Sequence, residues 1–298
     1  MAFNPTTRYA SQPTITVCAG RVPNFAHPSF PLTFFYSPSD TVGHLKTKIQ
    51  VKIRRFYSSR QQIVLKDSKK PLSDDTLTFH EAGINAGDEL EVVDLGPQVP
   101  RKFAGLLQYA GPIVAHAYLY FLPQFFYGKA IQHSLMQSCV FAMIEVHFVK
   151  RILETLFVHR FSRPTVPVLD FAKNLLYYNV LGGIVLAFDL YRQTFSDASP
   201  YIEGTIKKSP IFLWACVALW AFFQLSNLST LLTLRSLRRD GNAKRRLPRG
   251  YGTHYLFEAL GWMVICLMSG CIAAWLFFLV GTIPAAVRVL DKQRKSKS

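Results

Sequence analysis

Apolar residues in the second half of the chain cluster into runs long enough to cross a lipid bilayer as helices, which takes about 20 residues. Six candidate spans follow from these runs: 103–123, 133–150, 171–190, 210–232, 254–270 and 271–290. Because only Ser269 and Gly270 separate the last two runs, a tight helical hairpin, or one span with a re-entrant piece, is an alternative. The pattern predicts an all-α transmembrane bundle of about six helices in residues 98–298.

Residues 14–96 show a different pattern, in which short runs of strand-forming residues alternate with turn residues. One helix is predicted after Ser39 and Asp40, which offer an N-cap. Its apolar positions recur at helical spacing: Val42, Leu45, Ile49 and Ile53. The order β-β-α-β-β resembles ubiquitin. The sequence therefore predicts an α+β chain, with a ubiquitin-like β-grasp domain in residues 1–97 that serves for docking or stabilisation.

Charge supports a membrane protein and argues against a nucleic-acid partner. The formal net charge is +16, and residues 101–298 alone hold 23 Lys and Arg against 9 Asp and Glu. The basic half of the chain is thus also the apolar half. Its cations concentrate in 151–170, 233–253 and the C-terminal tail, which are alternate connections between the spans. By the positive-inside rule, this alternation predicts an even number of spans with both termini in the cytosol. The five cysteines have no metal-ligand spacing, so no metal is predicted.

The most informative motif lies where the second predicted span ends. Residues 147–162 read His-Phe-Val-Lys-Arg-Ile-Leu-Glu-Thr-Leu-Phe-Val-His-Arg-Phe-Ser. Lys150 and Glu154 are i,i+4 neighbours on a helix, so local pairing in a basic patch that sets topology is one interpretation. The run also closely resembles a signature of the very-long-chain enoyl-CoA reductases, relatives of the steroid 5α-reductases. That resemblance implies that Lys150, Arg151 and Glu154 form a site for a phosphate-bearing ligand.

Two further stretches are similar to the same family. Asn227-Leu228-Ser229 and the arginine-rich connection that follows it resemble the family's NADPH site, with Gly-exposed amides as phosphate ligands. The resemblance assigns cofactor binding to Asn227, Arg235, Arg238, Arg246, Gly250 and Gly252. Without the resemblance, seven cations in this connection indicate cytosolic placement and attraction to anionic lipid.

The residues that the resemblance makes catalytic are Tyr255, Glu258 and Gln108. Tyr255 stands where the family has a proposed proton donor, and Glu258 follows one turn later. Gln108 replaces a family Glu, and an amide cannot transfer a proton. The alternatives are an interfacial aromatic girdle for Tyr255 and a helix-facing polar residue for Gln108.

The resemblance implies NADPH-dependent reduction of a trans-2-enoyl-CoA in very-long-chain fatty acid elongation, in a multi-pass protein of the endoplasmic reticulum membrane. Expected partners are the long-chain enoyl-CoA, membrane lipid and other elongation-cycle enzymes. Departures at Gln108, Leu231 and His254, and the lack of the family's aromatic tail after Leu290, predict a divergent member, truncated at its C-terminus, with weakened NADPH affinity. The alternatives are a non-catalytic scaffold of the elongation complex and a sterol or steroid double-bond reductase.

Overall fold

A computed structural model describes residues 13–159, 163–239 and 252–297. The chain divides into two compact units. The first runs to Arg101 and takes in the described residues from Arg163 to Val168. The second contains the rest of the described chain and is built from helices.

The first unit contains a five-stranded sheet in the order β2-β1-β5-β3-β4. Its strands are β1 (Thr14–Ala19), β2 (Leu32–Phe35), β3 (Gln61–Leu65), β4 (Pro71–Leu72) and β5 (Glu89–Asp94). β1 runs parallel to β5, and the other neighbours are antiparallel. Parallel neighbours need a long crossover connection, and here that crossover includes the helix α1 (Val42–Lys52).

Helix α1 covers one face of this sheet. Leu45 and Ile49 are buried in the same apolar cluster as Ile63 and Leu90. The N-cap is Thr41, whose hydroxyl accepts a hydrogen bond from the amide of His44, rather than the predicted Ser39-Asp40. A shorter helix, α2 (Phe79–Ala82), has a capping box and ends at Gly83 in the left-handed conformation. The predicted succession of strands and one main helix is therefore present.

A two-stranded ribbon that the sequence did not indicate completes the first unit. Strand β6 (Gln98–Pro100) pairs antiparallel with β7 (Thr165–Pro167). The guanidinium of Arg163 donates to the side-chain oxygen of Gln62 on β3 at 2.7 Å. Arg101 donates to the carbonyl oxygen of Arg163 at 3.2 Å. Residues far apart in sequence are thus joined into one unit.

The second unit consists of helices that range from 5 to 30 residues in length. They are α3 (Arg101–Phe121), α4 (Pro123–Tyr127), α5 (Leu135–Leu153), α6 (Val168–Leu175), α7 (Leu186–Leu190), α8 (Pro210–Arg239), α9 (Thr253–Ser269) and α10 (Ile272–Lys297). Two π-helical segments extend them: Glu154–Val158 follows α5, and Leu176–Val185 joins α6 to α7. The helix from Val168 to Leu190 is therefore continuous but widened in its middle.

Among the described residues, three helices are long and apolar enough to cross a membrane: Val168–Leu190, Pro210–Ser236 and Ile272–Asp291. The predicted spans 103–123, 133–150 and 254–270 coincide with α3, α5 and α9, but the count of six stays a prediction. Of the alternatives for the last two runs, the structure has two separate helices. Gly270 ends α9 with a φ of 67°. This left-handed conformation suits glycine and is a common way to end a helix.

Candidate active site at the carboxyl end of α5

The guanidinium of Arg151 joins three helices. Its Nη1 donates to the Glu154 carboxylate at 3.0 Å, and its Nη2 donates to the hydroxyl oxygen of Tyr109 on α3 at 3.2 Å. Its Nε lies 3.7 Å from the carboxylate of Glu258 on α9. That separation makes an ionic contact but is too long for a hydrogen bond. Arg151 is therefore the centre of a charged network that crosses the interior of the helical unit.

Lys150 extends this network to α8. Its ammonium lies 2.8 Å from the other carboxylate oxygen of Glu154, and it donates to the side-chain oxygen of Asn227 at 2.7 Å. The amide nitrogen of Asn227 in turn donates to the carbonyl oxygen of His254 at 2.7 Å. Asn227 is 1% exposed. A single buried amide thus ties α5 to the first turn of α9.

Charges in this cluster balance, because two cations face two carboxylates. The side chains of Lys150, Arg151 and Glu154 are only 15%, 13% and 2% exposed. Ions so far from water are tolerated only when they are paired and hydrogen bonded. The two cations that the sequence assigned to a phosphate ligand therefore already bind protein carboxylates, and the predicted local pair of Lys150 with Glu154 is present.

Several buried donors near this cluster have no acceptor among the described residues. They are Nε of Arg151, Nε1 of Trp220 and Nε2 of Gln224. The side-chain oxygen of Gln224 lies 3.3 Å from Nδ1 of His147, which is also buried. Buried donors normally find acceptors. This donor set fits a ligand rich in acceptors, such as the carboxamide and phosphate groups of a nicotinamide dinucleotide.

Tyr255 lies in the first turn of α9 and is 42% exposed. The helix starts after Gly252, whose φ is 96° and where a Cβ would lie 2.7 Å from Val289. Such a φ is strained for any residue with a Cβ. Glu258, one turn after Tyr255, faces Arg151. The predicted proton donor and its neighbouring carboxylate thus lie on one helix, and the carboxylate is fixed by the charged network.

Comparison with known protein families identifies the chain. Residues 164–297 match the family model described as 3-oxo-5-alpha-steroid 4-dehydrogenase. A Schizosaccharomyces pombe protein named "putative enoyl reductase" is 36% identical over 211 residues, which cover 69% of each chain. The very-long-chain enoyl-CoA reductase of Dictyostelium discoideum is 29% identical over 274 residues, or 88% of each chain. The chain belongs to the enoyl-CoA reductase group of this steroid 5α-reductase superfamily. Membership confirms the resemblance of its sequence motifs and the prediction of an oxidoreductase that acts on CH–CH bonds.

The site of this enoyl-CoA reductase relative includes only some of the residues predicted from its sequence. Lys150, Arg151, Glu154, Asn227 and Glu258 form one connected cluster. Gln108 is buried on α3 beside Tyr109, and the cluster bonds to Tyr109 instead. Arg235 is exposed, on the last turns of α8. Arg246 and Gly250 lie outside the described residues, and the structure describes only the backbone of Arg238. Within the described part of the chain, no group of three or more His, Cys, Asp or Glu could hold a metal ion.

Sequence patterns did not indicate two members of this site, Tyr109 and Gln224. Each stands close to a residue that was indicated. Tyr109 follows Gln108, and Gln224 precedes Asn227 by one helical turn. On a helix, residues three or four apart share a face. Extending the Asn227 motif by one turn would have found Gln224. Tyr109 could be recognised only from the structure, in which α3 brings it to Arg151 on α5.

Proposed function

We propose that the protein reduces the trans-2 double bond of long-chain enoyl-CoA thioesters with NADPH, as the reductive step of very-long-chain fatty acid elongation. The observation that carries the proposal is the Arg151 network, in which one guanidinium fixes Tyr109, Glu154 and Glu258 together. Family membership supplies the reaction class. The named Dictyostelium relative supports the choice of an enoyl-CoA substrate.

Bound NADPH supplies a hydride, and the chain's own residues handle the proton and the charge. Tyr255 would give its hydroxyl proton to Cα of the substrate, since a phenol is a donor at neutral pH. Glu258 would orient the groups beside it, because its contact with Arg151 holds it in place. Asn227, Arg235, Arg238, Arg246, Gly250 and Gly252 would bind the nucleotide, as the family motif implies. Gln108 would contribute a hydrogen bond but no proton.

We propose that Lys150, Arg151 and Glu154 act chiefly as positioning residues. Their charges are already matched within the protein. A phosphate group would therefore have to share Lys150 with Glu154 and Asn227. Two donors have no hydrogen-bond acceptor in the described part of the chain: Arg151 Nε and Gln224 Nε2. They are better placed to donate a hydrogen bond to a ligand oxygen.

The direct test is NADPH oxidation by the purified full-length protein in detergent, with a long-chain trans-2-enoyl-CoA. Tyr255→Phe is expected to lower kcat by about 100-fold or more while it leaves NADPH binding intact, because general acid catalysis typically contributes roughly 10²–10⁴-fold. Tyr201→Phe is the matched control, because among the described residues the Tyr201 hydroxyl donates only to the carbonyl oxygen of Gly270, at 3.5 Å. Wild-type turnover in Tyr255→Phe would remove Tyr255 from the mechanism. If NADPH neither stabilised the wild-type protein nor was oxidised, a non-catalytic scaffold would be the better description.

The finer architecture is also part of the proposal. The first unit is proposed to be a ubiquitin-like β-grasp domain, residues 1–97, because its parallel β1–β5 pair and covering helix suit that fold. Residues 98–298 are proposed to form a six-span domain of the endoplasmic reticulum membrane with both termini in the cytosol. Labelling of single cysteines placed at the exposed Glu203 and at Ser298 tests the topology. Only the cysteine at position 203 should be protected in sealed microsomes.

A further inference from the structure

Three consecutive side chains in the π-helical segment Leu176–Val185 face different neighbours: Tyr177, Tyr178 and Asn179. π-helical turns inside α-helices are rare and occur frequently at functional sites. The segment lies in the middle of the membrane-length helix Val168–Leu190. The contacts of these three side chains therefore lie within the helical unit, well away from either helix end.

Tyr177 is fixed by α10. Its hydroxyl donates to the carbonyl oxygen of Phe277 at 2.8 Å, and the two rings stack with centroids 4.6 Å apart. Glycine at position 281 leaves room for this hydroxyl, because a Cβ on Gly281 would overlap it. The polar group of Tyr177 is thus fully occupied by the neighbouring helix.

Asn179 is held between its own helix and α3. Its amide nitrogen donates to the carbonyl oxygen of Leu175, one turn earlier in the same helix, at 3.1 Å, and lies 3.5 Å from the carbonyl oxygen of Leu107 on α3. A Cβ on Gly111 would overlap the side-chain oxygen of Asn179, so only glycine allows the two helices to approach this closely. The residues on both sides of Tyr178 are therefore locked in place.

Tyr178 is held between them, but its hydroxyl has no hydrogen-bond partner in the described part of the chain. Its ring packs edge-on against Tyr109, with centroids 5.1 Å apart, and against Phe148 at 6.4 Å. It interacts electrostatically with Arg151 and Glu258 of the charged network. Tyr178 is partly buried, and a hydroxyl that is held in place beside a reaction site without a protein partner is suited to a ligand.

We propose that the Tyr178 hydroxyl donates a hydrogen bond to the thioester carbonyl oxygen of the bound enoyl-CoA; this inference rests on the proposed function. When Cβ gains a hydride, the π electrons of the double bond move toward Cα and the carbonyl oxygen. Negative charge then accumulates on that oxygen, where a preorganised donor acts most strongly. Tyr255 delivers the proton that Cα needs, and Tyr178 keeps its own proton throughout.

The position of Tyr178 along its helix indicates how deep in the helical unit the thioester would bind. Tyr178 lies ten residues after Val168, the first residue of its helix. At a rise of about 1.5 Å per residue, Tyr178 is roughly 15 Å along that helix. The thioester would therefore lie inside the helical unit, with the acyl chain among apolar helices and the coenzyme A moiety towards Lys150.

The test compares Tyr178→Phe with wild type and with Tyr118→Phe. Tyr118 is the matched control because it is 56% exposed on α3 and is not part of the site. Tyr178→Phe is expected to lower kcat/KM by about 100-fold or more, the usual effect of removing one donor to a developing oxyanion. Thermal stabilisation by NADPH should be unchanged, because the proposed bond is to the substrate.

A second readout does not depend on turnover. The infrared carbonyl stretch of a ¹³C-labelled saturated acyl-CoA thioester should move to lower frequency on binding to wild type and to Tyr118→Phe. In Tyr178→Phe the shift should be lost, and the preference for the thioester over the thioether analogue that lacks the carbonyl should fall. An unchanged carbonyl shift and wild-type kcat/KM in Tyr178→Phe would overturn the inference. A wild-type protein that does not oxidise NADPH with enoyl-CoA would instead overturn the proposed function.

Discussion

Replacing Glu154 with Gln tests whether the charged network stabilises the helical unit. Glu154 is the only residue of the network that contacts both cations among the described residues: its two carboxylate oxygens lie 2.8 Å from Lys150 and 3.0 Å from Arg151. Its side chain is 2% exposed. Glutamine keeps the shape but removes the charge, so the network changes from electrically balanced to one uncompensated positive charge in the interior.

The expected loss of stability is large. Removing one partner of a buried ion pair typically destabilises a protein by about 3–5 kcal/mol, because the remaining charge is left without compensation. For a unit of this size, each kcal/mol lowers the melting temperature by about 2–4 °C, so a fall of roughly 6–20 °C is expected. Adding Lys150→Met to Glu154→Gln should recover part of this loss, since the double variant is again balanced.

The assay is thermal unfolding of the purified protein in detergent at one scan rate. Glu203→Gln is the matched control, because Glu203 pairs with Lys208 at a similar distance, 3.0 Å, but both side chains are well exposed, at 60% and 42%. An exposed pair contributes about 0–1 kcal/mol. If Glu154→Gln shifted the melting temperature no more than Glu203→Gln does, the claim that these buried charges depend on one another would be wrong.

Two further predictions concern packing and pH. A methyl group added at Gly111 overlaps Asn179. Gly111→Ala is therefore expected to destabilise the helical unit by about 1–3 kcal/mol, and combining it with Asn179→Ala should recover most of the loss in the same thermal assay. In the first unit, burial raises the pKa of the Asp94 carboxyl, but hydrogen bonds from Arg60 and from the Gly96 amide outweigh burial, so the pKa is lower in the folded protein than in the unfolded chain. The stabilisation from Asp94 is therefore present above its unfolded pKa of about 4 and is lost as the pH falls. Asp94→Asn should speed amide hydrogen exchange in β5 at neutral pH and change it much less in acid, below the folded pKa; an equal effect at both pH values would contradict this ionic account.

Local sequence patterns predicted most helices and strands, but they did not predict contacts between residues that are distant in the sequence. The spacing of Val42, Leu45 and Ile49 predicted α1, because apolar residues that recur at helical spacing lie on one face of a helix, and this face is buried. The β6–β7 ribbon was not predicted, because each strand has three residues, which is too short to show an alternation of apolar and polar positions. Their pairing depends on residues 163–168 belonging to the first unit, which only the folded chain reveals.

The same limit applies to the site. Spacing on α5 predicted the pair of Lys150 with Glu154, because residues four apart share a helix face. It could not predict the contact of Arg151 with Glu258, since these residues are far apart in sequence and meet only when α5 packs near α9. The assignment of Lys150 and Arg151 to a phosphate-bearing ligand was made without knowledge of this contact. A cation near a membrane has either a ligand or a protein partner, and sequence alone does not say which.

The charged network also explains why the site can lie inside a bundle of apolar helices. Lys150 and Arg151 both pair with Glu154 at the end of their own helix, and the second carboxylate, Glu258, comes from α9, so the charges balance only when α5 and α9 are both in place. Neutral hydrogen-bond partners from α3 and α8 complete the network, which makes the assembly of the site cooperative. The hydroxyls beside the network then acquire fixed positions without having to form bonds of their own. Tyr178 is such a group. Hydrogen bonds hold its neighbours Tyr177 and Asn179, for which Gly281 and Gly111 leave room, while its own hydroxyl stays available to a substrate.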